Sequence, residues 1–143
     1  MSIKLSVDTL GSETSLSEII VGLSESSLRN DDYFFCLFGN KDLIKKELSA
    51  HKSLANRIEI IHCEEEISMS DKPAEVIKQK VNSSMFKSVQ SVVNGESDAV
   101  LSCGNTGALM ALSLLYIKTI NEIKRPAIAS IWPNLKSESI ILD

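Results

Sequence analysis

Short apolar runs alternate along this chain with longer segments in which apolar residues recur at helical spacing. Ile3, Leu5 and Val7 alternate with polar residues, which predicts a first strand. Residues 33–38 form a continuous apolar run that stops at Gly39, as expected for a strand covered on both faces. Further strands are predicted at residues 57–62, 99–102, 127–131 and 139–142.

Helices are predicted between these strands. Ser15 and Glu18 have the spacing of a capping box, so a helix is expected over about residues 15–28. Residues 106–118 are apolar on all sides, which predicts a helix buried on two sides, in the middle of the molecule or at a subunit interface. The other helices are expected over residues 41–48, from Asp71 with Pro73 in the first turn, and after a break at residues 82–85.

The alternation of strands and helices predicts one α/β domain over residues 1–143, with a doubly wound, mostly parallel sheet and helices on both faces. Ligands of such folds bind at the carboxyl ends of the strands. Three polar loops are expected there, at residues 8–13, 39–40 and 102–107. The predicted core includes four aromatic residues, Phe34, Phe35, Phe38 and Trp132.

The turn Gly104-Asn-Thr-Gly107 joins a predicted strand directly to the apolar helix. Its glycines permit close approaches and unusual backbone conformations, and Asn105 or Thr106 can cap the helix. Free amides and the positive end of the helix dipole make such a turn a natural seat for phosphate or another small anion. A well-capped turn without a ligand is the alternative, because the motif is neither a dinucleotide fingerprint nor a P-loop.

Composition and charge narrow the function classes. The net charge of −4 and the pI near 5.2 argue against nucleic-acid binding, which requires a basic surface. Cys36, Cys63 and Cys103 are too widely spaced to suggest a disulfide framework or a zinc site, and we expect neither a metal nor a cofactor. The amino terminus has no signal-peptide pattern, so a soluble, cytoplasmic protein is expected.

Five segments carry a family resemblance. They read VDTLGSE at 7–13, MSDKPA at 69–74, NSSM at 82–85, SCGNTGAL at 102–109 and RPA at 125–127. In this order and at these separations they resemble the bacterial phosphate acyltransferases, the acyl-ACP:phosphate acyltransferase family of phospholipid synthesis. The resemblance covers only the amino-terminal portion of a family member. The last predicted strand ends at Asp143, so a truncated chain is expected.

The resemblance implies transfer of a long fatty acyl group from acyl carrier protein to inorganic phosphate, which gives an acyl phosphate. It implies a Rossmann-like three-layer α/β/α fold, related to phosphotransacetylases and isocitrate dehydrogenases, in a homodimer. Peripheral membrane association through the remaining part of the protein is a further possibility. Acyl carrier protein is acidic, whereas this chain is net negative, so we expect its main docking face to lie elsewhere.

The candidate site residues follow from the turn and from the resemblance together. Asn105, Thr106, Lys72 and Asp8 are the candidate catalytic residues. The candidate phosphate ligands are Gly104, Asn105, Thr106, Gly107, Ser83 and Ser84, with Gly11 and Asp71 in the supporting loops. For Lys72 the alternative is a solvated lysine at a helix start, for Ser83 and Ser84 it is helix capping, and for Asp8 it is capping of its own loop.

The first loop departs from the family pattern VDAMGGD at four positions, Thr9, Leu10, Ser12 and Glu13. Ser12 replaces a glycine, which limits the loop if that position requires a positive φ. Cys103 is not expected to be a nucleophile, because no histidine lies near it in the sequence. Phosphate is itself a competent nucleophile, so no covalent enzyme intermediate is required.

Two other functions stay open at this point. One is a phosphotransacetylase-like or dehydrogenase-like domain that acts on a small phosphorylated metabolite. The other is an inactive, truncated binding module. The Asp71-Lys-Pro and Ser83-Ser-Met segments favour the acyltransferase over the first alternative.

Overall fold

A computed structural model describes residues 2–143 and contains a four-stranded parallel sheet in the order β3-β2-β1-β4. The strands are β1 (Ile3–Asp8), β2 (Tyr33–Gly39), β3 (Ile58–His62) and β4 (Ala99–Ser102). The chain moves outward from β1 through β2 to β3 and then returns to the other side of β1. This reversal creates a switch point between β1 and β4, where doubly wound sheets bind their ligands.

The register brings the strand ends to one edge of the sheet. Asp8, the last residue of β1, pairs with Phe38 of β2 on one side and with Ser102 of β4 on the other. Two polar residues therefore meet at the switch point, one at the end of each strand. The predicted strands at 33–38, 57–62 and 99–102 are confirmed within one residue.

Helices cover both faces of the sheet. They are α1 (Leu16–Arg29), α2 (Lys41–Leu48), α3 (Pro73–Gln79), α4 (Ser84–Val93) and α5 (Thr106–Tyr116), with a 3₁₀ turn at Lys52–Leu54. The predicted capping box is present, since Glu18 accepts the Ser15 amide at 2.9 Å and Ser15 Oγ accepts the Glu18 amide at 3.3 Å. The break predicted at residues 82–85 lies at residues 80–83, between the end of α3 and the start of α4, which already includes Ser84 and Met85.

Two apolar cores make the fold three-layered. On one face, Ile20 and Leu23 of α1 and Ile44 of α2 pack with Val7 and Leu37 of the sheet. On the other face, α3, α4 and α5 bury a second cluster, Ile67, Val76, Met85, Val89, Ala108 and Leu112. Both cores exclude water because apolar side chains recur at helical spacing on one side of each helix.

The end of the chain corrects three predictions. The strands expected at 127–131 and 139–142 are β5 (Ala129–Pro133) and β6 (Glu138–Leu142), which form a separate antiparallel hairpin and do not extend the parallel sheet. Trp132 lies on this hairpin and is 61% exposed, so its prediction as a core residue is wrong. In the described residues, Ala108 and Leu112 of α5 are buried, whereas Leu114 and Leu115 of α5 and the next residue but one, Ile117, are exposed. The helix is therefore not buried on all sides within this chain, and its predicted place at a subunit interface stays a prediction.

The remaining aromatic predictions divide between core and partial burial. Phe35 and Phe38 are buried, whereas Phe34 is only partly buried.

Among residues 2–143, no helix has both the length and the apolar character that spanning a membrane requires.

Candidate functional site

Asp8 is a buried carboxylate at the switch point, with only 2% of its surface exposed. Ser84 Oγ donates a short hydrogen bond to its Oδ1, and Ser102 Oγ donates to its Oδ2 at 2.7 Å. The Leu10 amide lies 3.3 Å from Oδ1. Asp8 is therefore held by residues from three elements, α4, β4 and its own loop.

The surroundings of Asp8 perturb its acidity. Burial raises the pKa of the Asp8 carboxyl, and the hydrogen bonds from Ser84 and Ser102 offset part of that rise. Glu66 adds a smaller upward contribution. Among the described residues, no lysine, arginine or histidine forms an ion pair with Asp8, and its carboxylate accepts hydrogen bonds from two hydroxyl groups and the Leu10 amide.

The turn 104–107 follows directly from β4. Ser102 Oγ accepts the Gly104 amide at 3.0 Å, and Asn105 is the N-cap of α5, where its Oδ1 accepts the Ala108 amide at 3.0 Å. The amides of Thr106 and Gly107 have no acceptor within residues 2–143. Thr106 is exposed and Gly107 is partly exposed. Unpaired amides in the first turn of a helix are groups that can bind an anion.

The two glycines of this turn lie close to neighbouring side chains. Neither has a left-handed backbone. A Cβ at Gly104 would lie 3.2 Å from Met85 Cε, and a Cβ at Gly107 would lie 3.1 Å from Pro73 Cγ. Of the two roles predicted for these glycines, the structure shows the close approaches.

Asn105 is buried and joins two parts of the site. Its Nδ2 lies 3.1 Å from the Ser68 carbonyl oxygen, 3.3 Å from that of Met69 and 3.0 Å from that of Asp71. The side-chain oxygen of Asn105 caps α5, and its side-chain nitrogen binds the loop. The Asn105 side chain thus holds residues 68–71 against the start of α5.

Lys72 and Asp71 lie in that loop. Lys72 immediately precedes α3 and is 81% exposed at its side chain, with Nζ 3.9 Å from Glu75 Oε1. Asp71 Oδ2 accepts the Ser68 amide at 2.9 Å, and the Lys80 ammonium lies 3.9 Å away. The contact between Gly107 and Pro73 places this helix start beside the turn.

Ser83 and Ser84 are fully buried at the start of α4. Ser83 caps the helix, since its Oγ donates to the Lys80 carbonyl at 2.7 Å and accepts the Phe86 amide at 3.2 Å. The Ser84 hydroxyl is bonded to Asp8. Both hydroxyls thus have partners within the chain, and Ser84 reaches the turn only through Asp8 and Ser102.

The first loop reaches the same edge through Gly11. This residue has φ of +69°, and a Cβ on it would collide with the carbonyl oxygen of Ile67. Ser12 has no left-handed backbone, so its replacement of a family glycine does not strain the loop. Thr9, another departure, donates its hydroxyl to the Phe38 carbonyl at 2.9 Å, in space that Gly39 leaves open.

Sequence reasoning missed Ser102 and Ser68. Ser102 bonds both Asp8 and the turn, and its place opposite Asp8 at the end of a neighbouring parallel strand was the signal that would have identified it. Ser68 accepts from Asn105 through its main chain, which no sequence pattern marks. A separate open pocket of about 550 Å³ is lined by His62, Cys63, Glu64, Glu65, Asn82 and Lys87, none of which is a predicted site residue.

The fold defines the chain as a doubly wound α/β protein, as predicted. Its structure is similar to the EutD phosphotransacetylase from Staphylococcus aureus, with a TM-score of 0.60 and 16% sequence identity over 97% of this chain and 45% of that one. At this identity the likeness shows the three-layer fold alone.

The family described as "Fatty acid synthesis protein" matches residues 3–143. Two curated relatives named "Phosphate acyltransferase", from Mesorhizobium japonicum and Rhodopseudomonas palustris (strain BisA53), are each 39% identical over 142 residues, 99% of this chain. The chain belongs to this family, and the resemblance in its motifs is confirmed. The chain spans about 40% of the length of these relatives, in their amino-terminal part.

Proposed function

We propose that this chain is the phosphate-binding, amino-terminal part of an enzyme that transfers a long-chain acyl group from acyl carrier protein to inorganic phosphate. The observation that carries the proposal is the pair of unpartnered amides, Thr106 and Gly107, at the start of α5. They lie at the switch point of a doubly wound sheet, in a chain whose relatives are named phosphate acyltransferase. The product would be an acyl phosphate for phospholipid synthesis.

In the proposed reaction, a phosphate oxygen attacks the thioester carbonyl of the donor. A carbon–oxygen bond forms, the carbon–sulfur bond breaks, and the thiolate leaves and takes up the proton that hydrogen phosphate carried. The developing oxyanion needs hydrogen-bond donors, and the phosphate must be held in line with the carbonyl. The main chain of Gly104 to Gly107 and the Thr106 hydroxyl are the groups we assign to these tasks, with no metal or cofactor.

Two charged residues complete the proposed site. The Lys72 side chain is exposed and makes an ion-pair contact, at 3.9 Å, with Glu75. In this proposal its ammonium approaches phosphate bound beside the turn. Asp8 orients the Ser84 and Ser102 hydroxyls. In this proposal Asn105, Asp71, Ser83 and Gly11 act on phosphate by fixing the loops and helix starts that surround it.

The proposed partners are acyl carrier protein and a second copy of the chain. Like charges repel an acidic carrier from most of this net-negative surface, so we place its main docking face on the longer protein, with Lys41, Lys45 and Lys46 of α2 as a minor contact. The exposed apolar side chains of α5 are the proposed dimer surface. We also propose a cytoplasmic location, with any membrane contact made by the rest of the protein.

The test is a paired assay of acyl phosphate formation from palmitoyl-acyl carrier protein and inorganic phosphate. A protein of the relatives' full length that carries this chain as its amino-terminal part should form acyl phosphate, and residues 1–143 alone should not. If the longer protein forms none, the proposal is wrong. Turnover by the isolated chain would show that it already contains the complete site.

A substrate comparison separates the alternative class. Acetyl-CoA replaces the long-chain donor in the same assay, and a phosphotransacetylase-like enzyme would turn it over in preference. We expect a strong preference for the long-chain donor. Asn105→Ala in the longer protein should raise the KM for phosphate, because the loop at 68–71 loses its anchor beside the turn.

A further inference from the structure

Ser102 makes two hydrogen bonds that connect the buried carboxylate to the turn. Its Oγ lies 2.7 Å from Asp8 Oδ2 and 3.0 Å from the Gly104 nitrogen. A serine hydroxyl has one proton to donate, and an amide nitrogen can only donate. The Ser102 proton therefore points to Asp8, and its lone pair receives the Gly104 amide.

This orientation fixes the turn on both sides. Gly104 also lies close to Met85, since a Cβ built on it would lie 3.2 Å from Met85 Cε and 3.3 Å from Ser102 Oγ. Asn105 follows immediately and is held by residues 68–71. The direction in which the Thr106 and Gly107 amides point is thus set by the bond at Gly104 and by the side chain of Asn105.

Asp8 is the acceptor at the other end of this pair of hydrogen bonds. Both its oxygens accept hydroxyl protons, from Ser84 on α4 and from Ser102 on β4. A carboxylate that faces no cation within the described residues depends on these donors for its burial. Removing the Ser102 hydroxyl would leave one carboxylate oxygen and the Gly104 amide without their partner.

We propose that Ser102 is a positioning residue that orients the phosphate-binding turn through the Gly104 amide, held in register by Asp8. This inference rests on the proposed function, because it assigns the turn to phosphate. It adds a residue that acts on affinity for phosphate without touching it.

The test compares Ser102→Ala, Ser102→Thr and Ser6→Ala in the full-length protein described above, with inorganic phosphate as the varied substrate. Ser6 is the matched control, since it is a buried serine on β1 whose hydroxyl has no hydrogen-bond partner. Ser102→Ala should raise the KM for phosphate about tenfold, the effect of losing one well-placed hydrogen bond, with a much smaller change in kcat. Ser102→Thr retains the hydroxyl and should restore most of the affinity.

The outcomes separate this inference from the function beneath it. If the unaltered protein forms acyl phosphate but Ser102→Ala has the same KM as Ser6→Ala, the inference is wrong and the function stands. A fall in kcat with an unchanged KM also overturns it, because a turn that only positions phosphate acts first on binding. If the unaltered protein forms no acyl phosphate, both fail.

Discussion

At the scale of single residues, the defining feature is a carboxylate buried without a cation among residues 2–143. Asp8 is 2% exposed, and its folded-state pKa lies above the ordinary value of 3.8 because burial disfavours the charged form. At a pH between these two values the folded chain binds more protons at Asp8 than the unfolded chain does. The resulting stability is fully present below the unfolded pKa and is lost as the pH rises through the folded pKa.

Asp8→Asn should remove this pH dependence. The amide is neutral at every pH, so the free energy of unfolding of the variant should gain on that of the natural chain as the pH rises from 3.8 upward. Urea unfolding at a series of pH values measures the difference between the two. A constant difference across the series would show that Asp8 has the same pKa in both states.

A second single-residue effect concerns Gly11. An alanine at this position would have to adopt a left-handed backbone, and its Cβ would collide with the Ile67 carbonyl oxygen. Gly11→Ala should therefore lower the free energy of unfolding by at least about 1–2 kcal/mol. The matched control is Gly22→Ala on α1, where a Cβ meets open space. This substitution should raise the free energy of unfolding by about 0.5–1 kcal/mol. Equal effects in denaturant unfolding would contradict the assigned role of Gly11.

At the scale of elements, one side chain connects the start of α5 with the loop that precedes α3. Asn105 caps the helix and binds residues 68–71, whereas the side chain of Asn40, the N-cap of α2, binds only the amides of Asp42 and Leu43 among the residues that the structure describes. Two caps of the same residue type therefore differ in what else they hold. The difference separates capping from loop anchoring.

Asn105→Ala and Asn40→Ala should each lower stability by about 1 kcal/mol, the usual effect of removing an N-cap. Only Asn105→Ala should also free the loop, and amide hydrogen exchange at residues 68–71 should rise well above that of the rest of the chain. Exchange that rises equally in both variants would mean that the loop does not depend on Asn105.

The sequence predicts the positions of the helices and strands better than it predicts which elements they pair with or pack against. The capping box at Ser15, the ends of the four parallel strands and the break between α3 and α4 are local signals, and the structure places each of them within about two residues of its prediction. The short apolar segments at 127–131 and 139–142 indicate strands but not which strands they pair with, so the hairpin could not be distinguished from further parallel strands. The prediction for α5 has the same limit, because a helix that is apolar on all sides does not indicate which surface covers each side.

The candidate site shows the same limit. The turn at 104–107 and Asp8 were found because glycines and strand-end carboxylates have recognisable positions. The links between them depend on main-chain carbonyls of residues 68–71 and on the cross-strand register of Ser102, which are tertiary facts. The capping role of Ser83 was an alternative in the sequence, and the structure shows the cap.

At the scale of the whole molecule, the exposed apolar surface of α5 is the main test of assembly. Leu114, Leu115 and Ile117 are 45%, 49% and 41% exposed, a concentration of apolar side chains that favours association. Leu115→Glu should shift the chain towards monomer in sedimentation velocity, because a charge would have to be buried in the proposed interface.

The control for assembly is Leu28→Glu on α1. Leu28 is 75% exposed on α1, whose buried side chains belong to a different core cluster from those of α5, so this substitution adds the same charge outside the proposed interface. Both variants should unfold at similar urea concentrations. Equal shifts in association by the two variants, or none by Leu115→Glu, would place the interface elsewhere.

The hairpin has a practical consequence for spectroscopy. Within residues 2–143, no hydrogen bond joins β5 or β6 to the parallel sheet, and the chain's only tryptophan, Trp132, stands on it. Its indole emission will have the long wavelength of a solvated ring whether the α/β body is folded or denatured. A blue shift of that emission therefore reports that another surface has covered the hairpin.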